Sequence, residues 1–232
     1  YGDARWVGNE GGRVPYENWN AIDRHGYLRW RPVEADTPLR KEHWFWHPND
    51  EASLKSVSEL LTTYDETVGR GAQLMLGLAP DRRGLLPESD VARLEVFGKA
   101  LRARYGHNLA LQHLPASAEA SAALDGDPDT FWSAPASSHH STLEANFHAP
   151  ITFDRAVSME WLNDGQRIQK YSIDIWTGSA WRSIFSGQAI GHKKFDGFPT
   201  VTAARVRLNI LSSTDGAAIR EFQLYKIEDS TR

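Results

Sequence analysis

The chain has 232 residues, of which 41% are hydrophobic and 24% charged, a balance that excludes a disordered chain and allows one large domain or two smaller ones. The net charge of -4 is too small to indicate a nucleic acid or an anionic membrane surface as partner, so a neutral or weakly polar ligand fits better. The sequence contains no cysteine, which excludes disulfides and thiolate metal sites, and no apolar run approaches the roughly 18 residues of a membrane span.

The first predicted element is a short β-type run that ends in small residues, from Arg5 to Gly12. It carries Trp6, Asn9 and Glu10. A strand of an α/β barrel delivers a side chain into a loop at the catalytic face in this way, and flanking glycines let the backbone approach a ligand. We therefore expect an active-site carboxylate near the start of the chain.

Strands and helices alternate in the next part of the chain. Two short strands are expected at Tyr27–Trp30 and Trp44–Trp46, followed by a helix at Glu51–Val68 that Asn49 and Asp50 can cap. A buried strand at Gln73–Ala79 and a helix at 87–105, which opens near Pro87, complete the series. This order predicts parallel strands with crossover helices. We assign residues 1–112 to a partial (β/α) barrel, the second half of a TIM-like barrel.

The pattern changes after residue 112. A small-residue stretch, 116–123, is typical of a connection between domains, and the helical spacing then disappears. Apolar residues alternate with polar ones in several short segments separated by turns; examples are Leu143 to Phe147, Val157 to Trp161, Tyr171 to Ile175 and Val206 to Ile210. Residues 113–232 are therefore expected to form an antiparallel β-sandwich of the discoidin-like, carbohydrate-binding type.

The aromatic content indicates a sugar ligand. Nine tryptophans, seven tyrosines and nine phenylalanines are many for this length, and indole rings pack against the C–H faces of pyranoses. Any single tryptophan is as readily explained by core packing. Three of them, Trp30, Trp44 and Trp46, fall in a segment with Glu34 and His47 that is too polar for an ordinary core.

Three motifs in the same order and spacing resemble glycoside hydrolase family 29, the α-L-fucosidases, and most closely the branch that acts on α-1,3/4-linked fucose. They are Arg5-Trp6-Val7-Gly8-Asn9-Glu10-x-Gly12, then Trp30-x-x-x-Glu34-x-Asp36 with Trp44-Phe45-Trp46-His47, then Thr67-Val68-Gly69-Arg70-Gly71-Ala72 with Leu78-Ala79-Pro80-Asp81. The resemblance extends into the sandwich at Gly165-Gln166-Arg167-Ile168 and Ile190-Gly191-His192-Lys193-Lys194.

The resemblance implies a retaining mechanism on fucosylated oligosaccharides, by hydrolysis or by transfer of fucose. It places Glu10 at the acid/base position, and it implies that Trp30 packs against the fucose ring. The other residues that it assigns to substrate binding are Trp6, Asn9, Glu34, Trp44, Trp46 and His47. From the residue type alone, Glu10 reads equally as a solvated loop residue or a helix cap, and His47 as a cap.

The family's nucleophile segment has no counterpart in this sequence. A retaining pair needs a second carboxyl about 5 Å from the first, and none of Asp3, Asp23, Glu34, Asp36 or Asp50 lies in the family's nucleophile motif, so the nucleophile stays unknown. Half a barrel would also expose strand edges and an apolar face. We expect a homo-oligomer, or an N-terminal fragment that completes the barrel.

The start of the sandwich resembles the first loop of discoidin-like domains, which holds a structural calcium ion. Asp125, Asp127, Thr130 and Glu221 offer the oxygen ligands that calcium prefers. An Asp-Gly turn without metal explains the same residues equally well. No other cofactor is expected.

Two further functions remain open from the sequence. One is a non-catalytic fragment that binds fucose or another carbohydrate, and the other is a structural remnant whose sandwich mediates assembly. The family resemblance also implies a periplasmic or secreted location, with no nucleic acid or membrane partner.

Overall fold

The computed structural model describes residues 4–19, 30–114 and 118–227. Contacts within the chain divide it into two compact units, the first comprising Tyr1–Tyr16 and Arg31–Gly106, and the second comprising Glu17–Trp30 and His107–Arg232. The change of unit after Gly106 lies near the expected boundary at residue 112. The grouping of Glu17–Trp30 with the second unit was not indicated by the sequence.

The first unit contains a parallel three-stranded sheet and two helices. The strands, in the order β1-β2-β3, are β1 (Arg5–Trp6), β2 (Val33–Pro38) and β3 (Ala72–Gly77). Helix α1 (Val57–Thr67) lies between β2 and β3 in sequence, and α2 (Glu88–Tyr105) follows β3. Parallel strands joined through a helix confirm the expected part of an α/β barrel.

Helix α1 begins later than predicted. Residues Glu51–Ser53 form only a short 3-10 turn, and the carboxylate of Asp50 accepts a hydrogen bond from Ser53 Oγ at 2.7 Å. The helix is capped by Ser56, whose hydroxyl accepts from Glu59 N while the Glu59 carboxylate accepts from Ser56 N. The predicted cap at Asn49 and Asp50 is therefore wrong.

The second predicted strand is also wrong. Trp44–Trp46 lies in a loop after β2, and Phe45 is 80% exposed there. Of the first predicted strand, residues 27–29 lie outside the described residues, and Trp30 is not in a strand. The strand between β1 and β3 is instead Val33–Pro38.

The two faces of this sheet have different environments. Val33 and Ala35 of β2 are buried with Val14 and Ala72 on one face. A second small core is formed by Leu39 after β2, Leu60 and Leu61 of α1, and Phe97 of α2. Glu34 and Asp36 alternate with the buried residues of β2, and on the paired strands the same face carries Trp6 and Met75, which are 54% and 48% exposed.

The second unit is built on one seven-stranded sheet around the main core. Its strands are β4 (His113–Leu114), β5 (Trp132–Ser133), β6 (Ser141–Glu160), β7 (Ile168–Trp176), β8 (Trp181–Gly187), β9 (Lys194–Ser213) and β10 (Ala218–Tyr225), with a short helix α3 (Ala118–Ser121). The order is β5-β10-β6-β9-β7-β8, with β4 also paired to β6, and all the pairs are antiparallel.

Long strands that change register allow this sheet to enclose its own core. The β6–β9 pairing shifts between Asn146 and Ile151 and again between Phe153 and Arg155, and such irregularities bend a strand. The alternating apolar residues fill the interior; among them are Leu143, Phe153, Ile173, Leu208 and Phe222, each fully buried. The predicted antiparallel sandwich is confirmed. Within residues 4–19, 30–114 and 118–227, no helix combines the length and apolar character needed to cross a bilayer.

Candidate active site

The candidate site lies at the carboxyl ends of the three parallel strands. Glu10 follows β1, Pro38 and Gly77 end β2 and β3, and Trp44 comes from the loop after β2. In α/β barrels this end of the sheet is the catalytic face, because the loops that follow the strands converge there. The position agrees with the role expected for Glu10.

The turn that carries Glu10 is shaped by its own side chains. Asn9 Oδ1 accepts a hydrogen bond from Gly11 N at 3.1 Å, and Asn9 Nδ2 donates to Arg13 O at 3.1 Å. Asparagine commonly closes turns in this way. Asn9 therefore holds the loop that presents the carboxylate rather than standing free in it.

Gly12 ties the same loop to the sheet and to α1. Its N–H donates to Asp36 O at 2.9 Å, and its carbonyl accepts from the hydroxyl of Thr67. Its φ of +63° is in the left-handed region, and a Cβ would lie 2.9 Å from Thr63 Cγ2 and 3.0 Å from Thr37 Cγ2. Only glycine fits at this position without displacing its neighbours. Gly12 therefore anchors the loop that carries Glu10 to β2 and to α1.

The Glu10 carboxylate is held by one tryptophan. Trp44 Nε1 donates to Glu10 Oε2 at 2.9 Å, and both side chains remain partly open to solvent. The Trp44 ring lies against the end of β3, where a Cβ on Gly77 would approach Trp44 Cζ3 to 2.6 Å. Gly77 therefore leaves the space that allows the indole to reach the carboxylate.

Substitution of Gly77 by Ala tests this arrangement. Because the added methyl group would force the Trp44 ring away, we expect the hydrogen bond to Glu10 to be lost and the protein to be destabilised by about 1–3 kcal/mol. Thermal unfolding and the intrinsic fluorescence of the chain measure the two effects. Gly98→Ala is the matched control, since its Cβ would meet only Arg102 at 3.5 Å inside helix α2, and it should be neutral or stabilising. Equal behaviour of the two variants would contradict the packing role of Gly77.

A cavity of about 730 Å³ opens in front of Glu10. Its lining residues are Glu10, Gly11, Arg13, Thr37, Pro38, Lys41, Glu42, Trp44 and Lys55. The volume is in the range of a small-ligand site. Three cations and two carboxylates around an indole suit a polar, hydroxylated ligand with one apolar face.

Lys55 is a site residue that the sequence reading missed. Its Nζ donates to Thr37 Oγ1 at 2.7 Å and to Pro38 O at 2.5 Å, so it closes the end of β2. Burial lowers the pKa of Lys55, against the opposing effect of Glu59. The signal that could have located it is the capping sequence Ser56-x-x-Glu59 directly after it, which fixes the start of α1 and hence the position of this lysine.

Two other expected site residues, Trp6 and Glu34, lie on the sheet face that carries Asp36. Trp6 Nε1 donates to Asp36 Oδ1 at 2.5 Å, so the exposed indole is oriented by an acid on the adjacent strand. Glu34 pairs in register with Trp6 and with Gln73. Within the described residues neither Trp6 nor Glu34 lines the cavity of Glu10.

The remaining expected site residues have other neighbours. Trp46 lies under the guanidinium of Arg82 at 5.7 Å, and the His47 ring is 4.6 Å from that of His43. Neither is part of the cavity lining as far as the chain is described. Trp30 belongs to the second unit, where its ring centroid lies 5.4 Å from that of His192. Their roles in sugar binding stay predictions.

The predicted calcium loop forms a compact turn at the start of the sandwich. Asp125 Oδ1 accepts from Asp127 N at 2.9 Å and from Thr130 Oγ1 at 3.1 Å. Glu221 is 2% exposed, and its Oε1 is buried without a hydrogen-bond partner among the described residues. Burial raises the pKa of Glu221 to about 7, and the charges of Asp125 and Asp127 act in the same direction.

Asp125 and Asp127 are close enough to Glu221 to raise its pKa, but the described residues do not form a preassembled metal site. In the described part of the chain, no three His, Cys, Asp or Glu side chains are gathered closely enough to form a metal-binding group. The orphaned oxygen of Glu221 and its repulsion from two aspartates are nevertheless what a cation would relieve. The residue types fit calcium, which binds oxygen ligands in flexible geometry.

Comparison with known proteins follows the division of the chain. The family model described as Alpha-L-fucosidase matches residues 3–106, and the model described as F5/8 type C domain matches residues 110–222. The first part of the chain is therefore similar to α-L-fucosidases, and the second part to F5/8 type C domains. Alpha-L-fucosidase 1 of Arabidopsis thaliana is 27% identical to this chain. The alignment covers 88% of this chain and 45% of that relative.

Solved fucosidase structures superpose on nearly all of this chain. SpGH29 gives a TM-score of 0.83 at 27% identity, covering 97% of this chain and 54% of that protein. The Ruminococcus gnavus GH29 fucosidase E1_10125, solved in complex with fucose, gives 0.83 at 22% identity, covering 97% and 51%, and shows likeness of fold alone. The chain thus spans about half of each fucosidase that it matches.

Proposed function

We propose that this chain supplies the acid/base side of a retaining α-L-fucosidase active site, with Glu10 as the proton donor. The observation that carries the proposal is the position of Glu10 at the carboxyl end of a parallel sheet, held by Trp44 in a cavity of about 730 Å³. The match of residues 3–106 to the α-L-fucosidase model supports the same role.

Glu10 would act twice in the reaction. In the first step it donates its proton to the glycosidic oxygen as the bond to the anomeric carbon breaks, while a second carboxylate attacks that carbon from the other side. In the second step the ionised Glu10 removes a proton from water, which displaces the enzyme from the sugar. A sugar hydroxyl in place of water would give transfer of fucose. The Trp44 N–H orients the carboxylate in both steps.

The proposed substrate is an oligosaccharide with α-linked fucose, in α-1,3 or α-1,4 linkage. Support comes from the motifs of that branch and from the similarity to Alpha-L-fucosidase 1 of Arabidopsis thaliana. The indole of Trp6, exposed and oriented by Asp36, offers a face for the C–H groups of a sugar. We extend the proposal to a periplasmic or secreted location, as expected for the family.

A second barrel half is proposed to complete the site and to contribute the nucleophile. Trp6 and Met75 are about half exposed on the sheet face opposite the buried residues of β2, and β1 and β3 are the edges of a three-stranded sheet. Open edges and apolar faces are normally covered. The cover is either a second copy of this chain or an N-terminal fragment that precedes it in a longer protein.

Release of 4-nitrophenol from 4-nitrophenyl α-L-fucoside tests the proposal. The chain is separated by size-exclusion chromatography with light scattering, and every fraction is assayed alone and after mixing with a separately expressed first barrel half from a related fucosidase. Activity in an oligomer or in the mixture is the expected result. Absence of turnover in every fraction and mixture would overturn the catalytic proposal.

A non-catalytic fucose-binding function is the second candidate. It is favoured by the exposed position of Glu10, whose cavity shares only one other carboxylate, Glu42, within the described residues. Fucose that binds beside Trp44 without turnover would support this candidate. A chain that neither binds fucose nor turns over a fucoside would favour a structural role in assembly.

For the sandwich we propose a structural calcium ion held by Asp125, Asp127, Thr130 and Glu221. The proposal is supported by the buried, unpartnered Oε1 of Glu221. Calcium is expected to raise the melting temperature over EDTA, because an ion at 100 times its Kd adds about 2.7 kcal/mol to the free energy of unfolding.

Thermal unfolding in calcium, magnesium and EDTA measures this effect. The Glu221→Gln variant should lose the calcium response, whereas Glu144→Gln, which changes a partly exposed acid on β6, should keep it. A response of equal size in both variants, or none in the parent protein, would remove the calcium assignment.

A further inference from the structure

The second unit contains a cavity that the proposed fucosidase chemistry does not use. It has a volume of about 620 Å³ and is lined by Asp154, Arg155, Gly197, Phe198, Pro199, Thr200, Lys226 and Ile227. These residues come from the region where β6 and β9 change register and from the end of β10. The size is that of a site for a mono- or disaccharide.

Arg155 forms the floor of this cavity. By register it lies in β6 between Gly197 of β9 and Tyr225 of β10, so these three residues share a face of the sheet. A Cβ on Gly197 would be 3.4 Å from Arg155 Cζ, which shows that the guanidinium lies across the glycine backbone. A larger residue than glycine would fill this space.

The guanidinium of Arg155 has no ion-pair partner among residues 4–19, 30–114 and 118–227. Its Nε is buried without a hydrogen-bond partner, and among the described residues no carboxylate forms an ion pair with it. A buried donor without a partner is costly and is normally satisfied by protein, water or a ligand. The lining of the cavity therefore includes a guanidinium with a donor that no described residue uses.

Asp154, the one acid among the described lining residues, already has hydrogen-bond partners. Asp154 accepts hydrogen bonds from Lys226 Nζ and, at 2.9 Å, from Ile227 N. Lys226 Nζ also donates to Thr200 Oγ1 at 3.1 Å. Because Lys226 neutralises Asp154, the charge of Arg155 is left uncompensated, and the cavity is suited to an anion.

The walls add apolar surface beside this charge. Phe198 is half-buried and packs edge-on against Phe153, with ring centroids 5.7 Å apart at 89°. Pro199 is exposed next to it. One open aromatic ring and a proline beside a guanidinium suit a ligand with a C–H face and a planar anionic group.

From these contacts we propose that this cavity is a second carbohydrate-binding site, specific for a carboxylated saccharide, with Arg155 as the donor to the carboxylate. A planar guanidinium matches a carboxylate through two parallel hydrogen bonds. The choice of a saccharide over another carboxylate rests on the proposed function, which the similarity of residues 3–106 to α-L-fucosidases supports. The binding test needs no fucoside, so its failure is distinguishable from failure of the proposed catalytic function.

Isothermal titration with the methyl glycoside of N-acetylneuraminic acid tests the site in three proteins. The parent chain and Arg182→Gln should bind equally, because Arg182 is an exposed arginine on β8 outside the cavity. Arg155→Gln should bind at least about tenfold more weakly, since it loses a charge-assisted bidentate pair. Melting temperatures of the three proteins show whether the fold is retained. Equal affinity of Arg155→Gln and the parent would overturn the proposal.

Further ligands separate charge from shape. N-acetylglucosamine, which is neutral, should not bind, and galactose 6-sulfate should bind more weakly than the carboxylated sugar. Binding of the neutral sugar as tightly as the acidic one, or tighter binding of the sulfated sugar, would overturn the carboxylate assignment. A chain ending at Ile227 should bind like the parent. Stronger binding by that shortened chain would show that the last five residues, two of them acidic, fill the cavity instead.

Discussion

Under the proposed function, the Glu10→Gln variant is expected to lose about 100- to 10,000-fold in kcat/KM toward a fucosylated sugar. Glutamine keeps the size of the side chain, and its carbonyl can still accept the Trp44 N–H that Glu10 accepts at 2.9 Å. It has no proton to donate to the leaving oxygen. The loss should therefore come from chemistry and not from the fold, and the melting temperature should change little because Glu10 is exposed.

The dependence on leaving group identifies the step. The ratio kcat/KM reports the first chemical step, and 4-nitrophenolate departs without a proton whereas a sugar alkoxide does not. The variant should therefore lose much less on 4-nitrophenyl α-L-fucoside than on a fucosylated disaccharide. An equal loss on both substrates would argue that Glu10 acts in binding and not as an acid.

Glu42→Gln is the matched control for this experiment. Glu42 lines the same cavity but comes from the loop after β2. Its replacement should lower kcat/KM by less than about tenfold and show no leaving-group dependence, because a cavity charge without a proton to transfer changes only the local field. A larger loss with Glu42→Gln than with Glu10→Gln would reverse the assignment of the acid/base.

The sequence predicted the parts of the fold that depend on local periodicity. Alternation in segments such as Tyr171 to Ile175 marked the sandwich strands because one face of each is fully buried. Helix α2 was placed correctly from Pro87 onward, where proline is tolerated at the start of a helix. These signals need no knowledge of distant residues.

The errors fall where tertiary contacts override local preference. Strand β2 contains two acids and ends in proline, which disfavour a strand, yet it pairs on both sides and buries Val33 and Ala35. The aromatic run from Trp44 to Trp46 favours a strand but lies in a loop. Backbone φ angles of +63° at Glu42 and +58° at Asn49 turn the chain on either side of it.

The candidate site also combines features that local sequence predicts with features that depend on tertiary contacts. The motif placed Glu10 at a strand end, which the structure agrees with, but spacing alone does not bring Trp44 to it across 34 positions. That contact depends on Gly77 at the end of another strand. Pairings of this kind arise from the fold and cannot be obtained from the order of residues.

In the sandwich, Glu160→Gln is expected to cause the largest loss of stability below about pH 5, about 2–3 kcal/mol. Glu160 is 3% exposed, and its carboxylate accepts three backbone N–H groups: Arg167 at 2.9 Å and Ile168 at 3.0 Å on Oε1, and Gly191 at 2.8 Å on Oε2. It thereby ties the start of β7 and the loop after β8 to the end of β6. A glutamine would turn an NH₂ group toward one of these donors and leave it unpaired.

Chemical denaturation of the parent, Glu160→Gln and Glu144→Gln measures this contribution. Glu144 is on the same strand and pairs with Arg205 at 2.7 Å in a partly exposed ion pair, so its replacement should cost no more than about 1 kcal/mol. The midpoint should fall at unchanged slope for Glu160→Gln. Similar losses for the two variants would show that burial of Glu160 contributes nothing beyond a surface contact.

The pH dependence of stability gives an independent check of Glu160. Burial raises its pKa from 4.5 to about 7. The folded protein then binds a proton that the unfolded chain releases, so this contribution is fully present below pH 4.5 and is lost as pH rises through 7. Its upper limit is about 3 kcal/mol, at 1.36 kcal/mol for each pH unit.

Glu221 has a pKa raised to about 7 and gives a slope of the same sign. The measurement is therefore the difference in free energy of unfolding between the parent and Glu160→Gln, followed from pH 4.5 to 8 in calcium-free buffer. The parent should lose stability relative to the variant as pH rises, because only the parent has a carboxyl to ionise at position 160. A difference that stays constant over this range would mean that the three N–H donors, which favour the ionised form, outweigh desolvation.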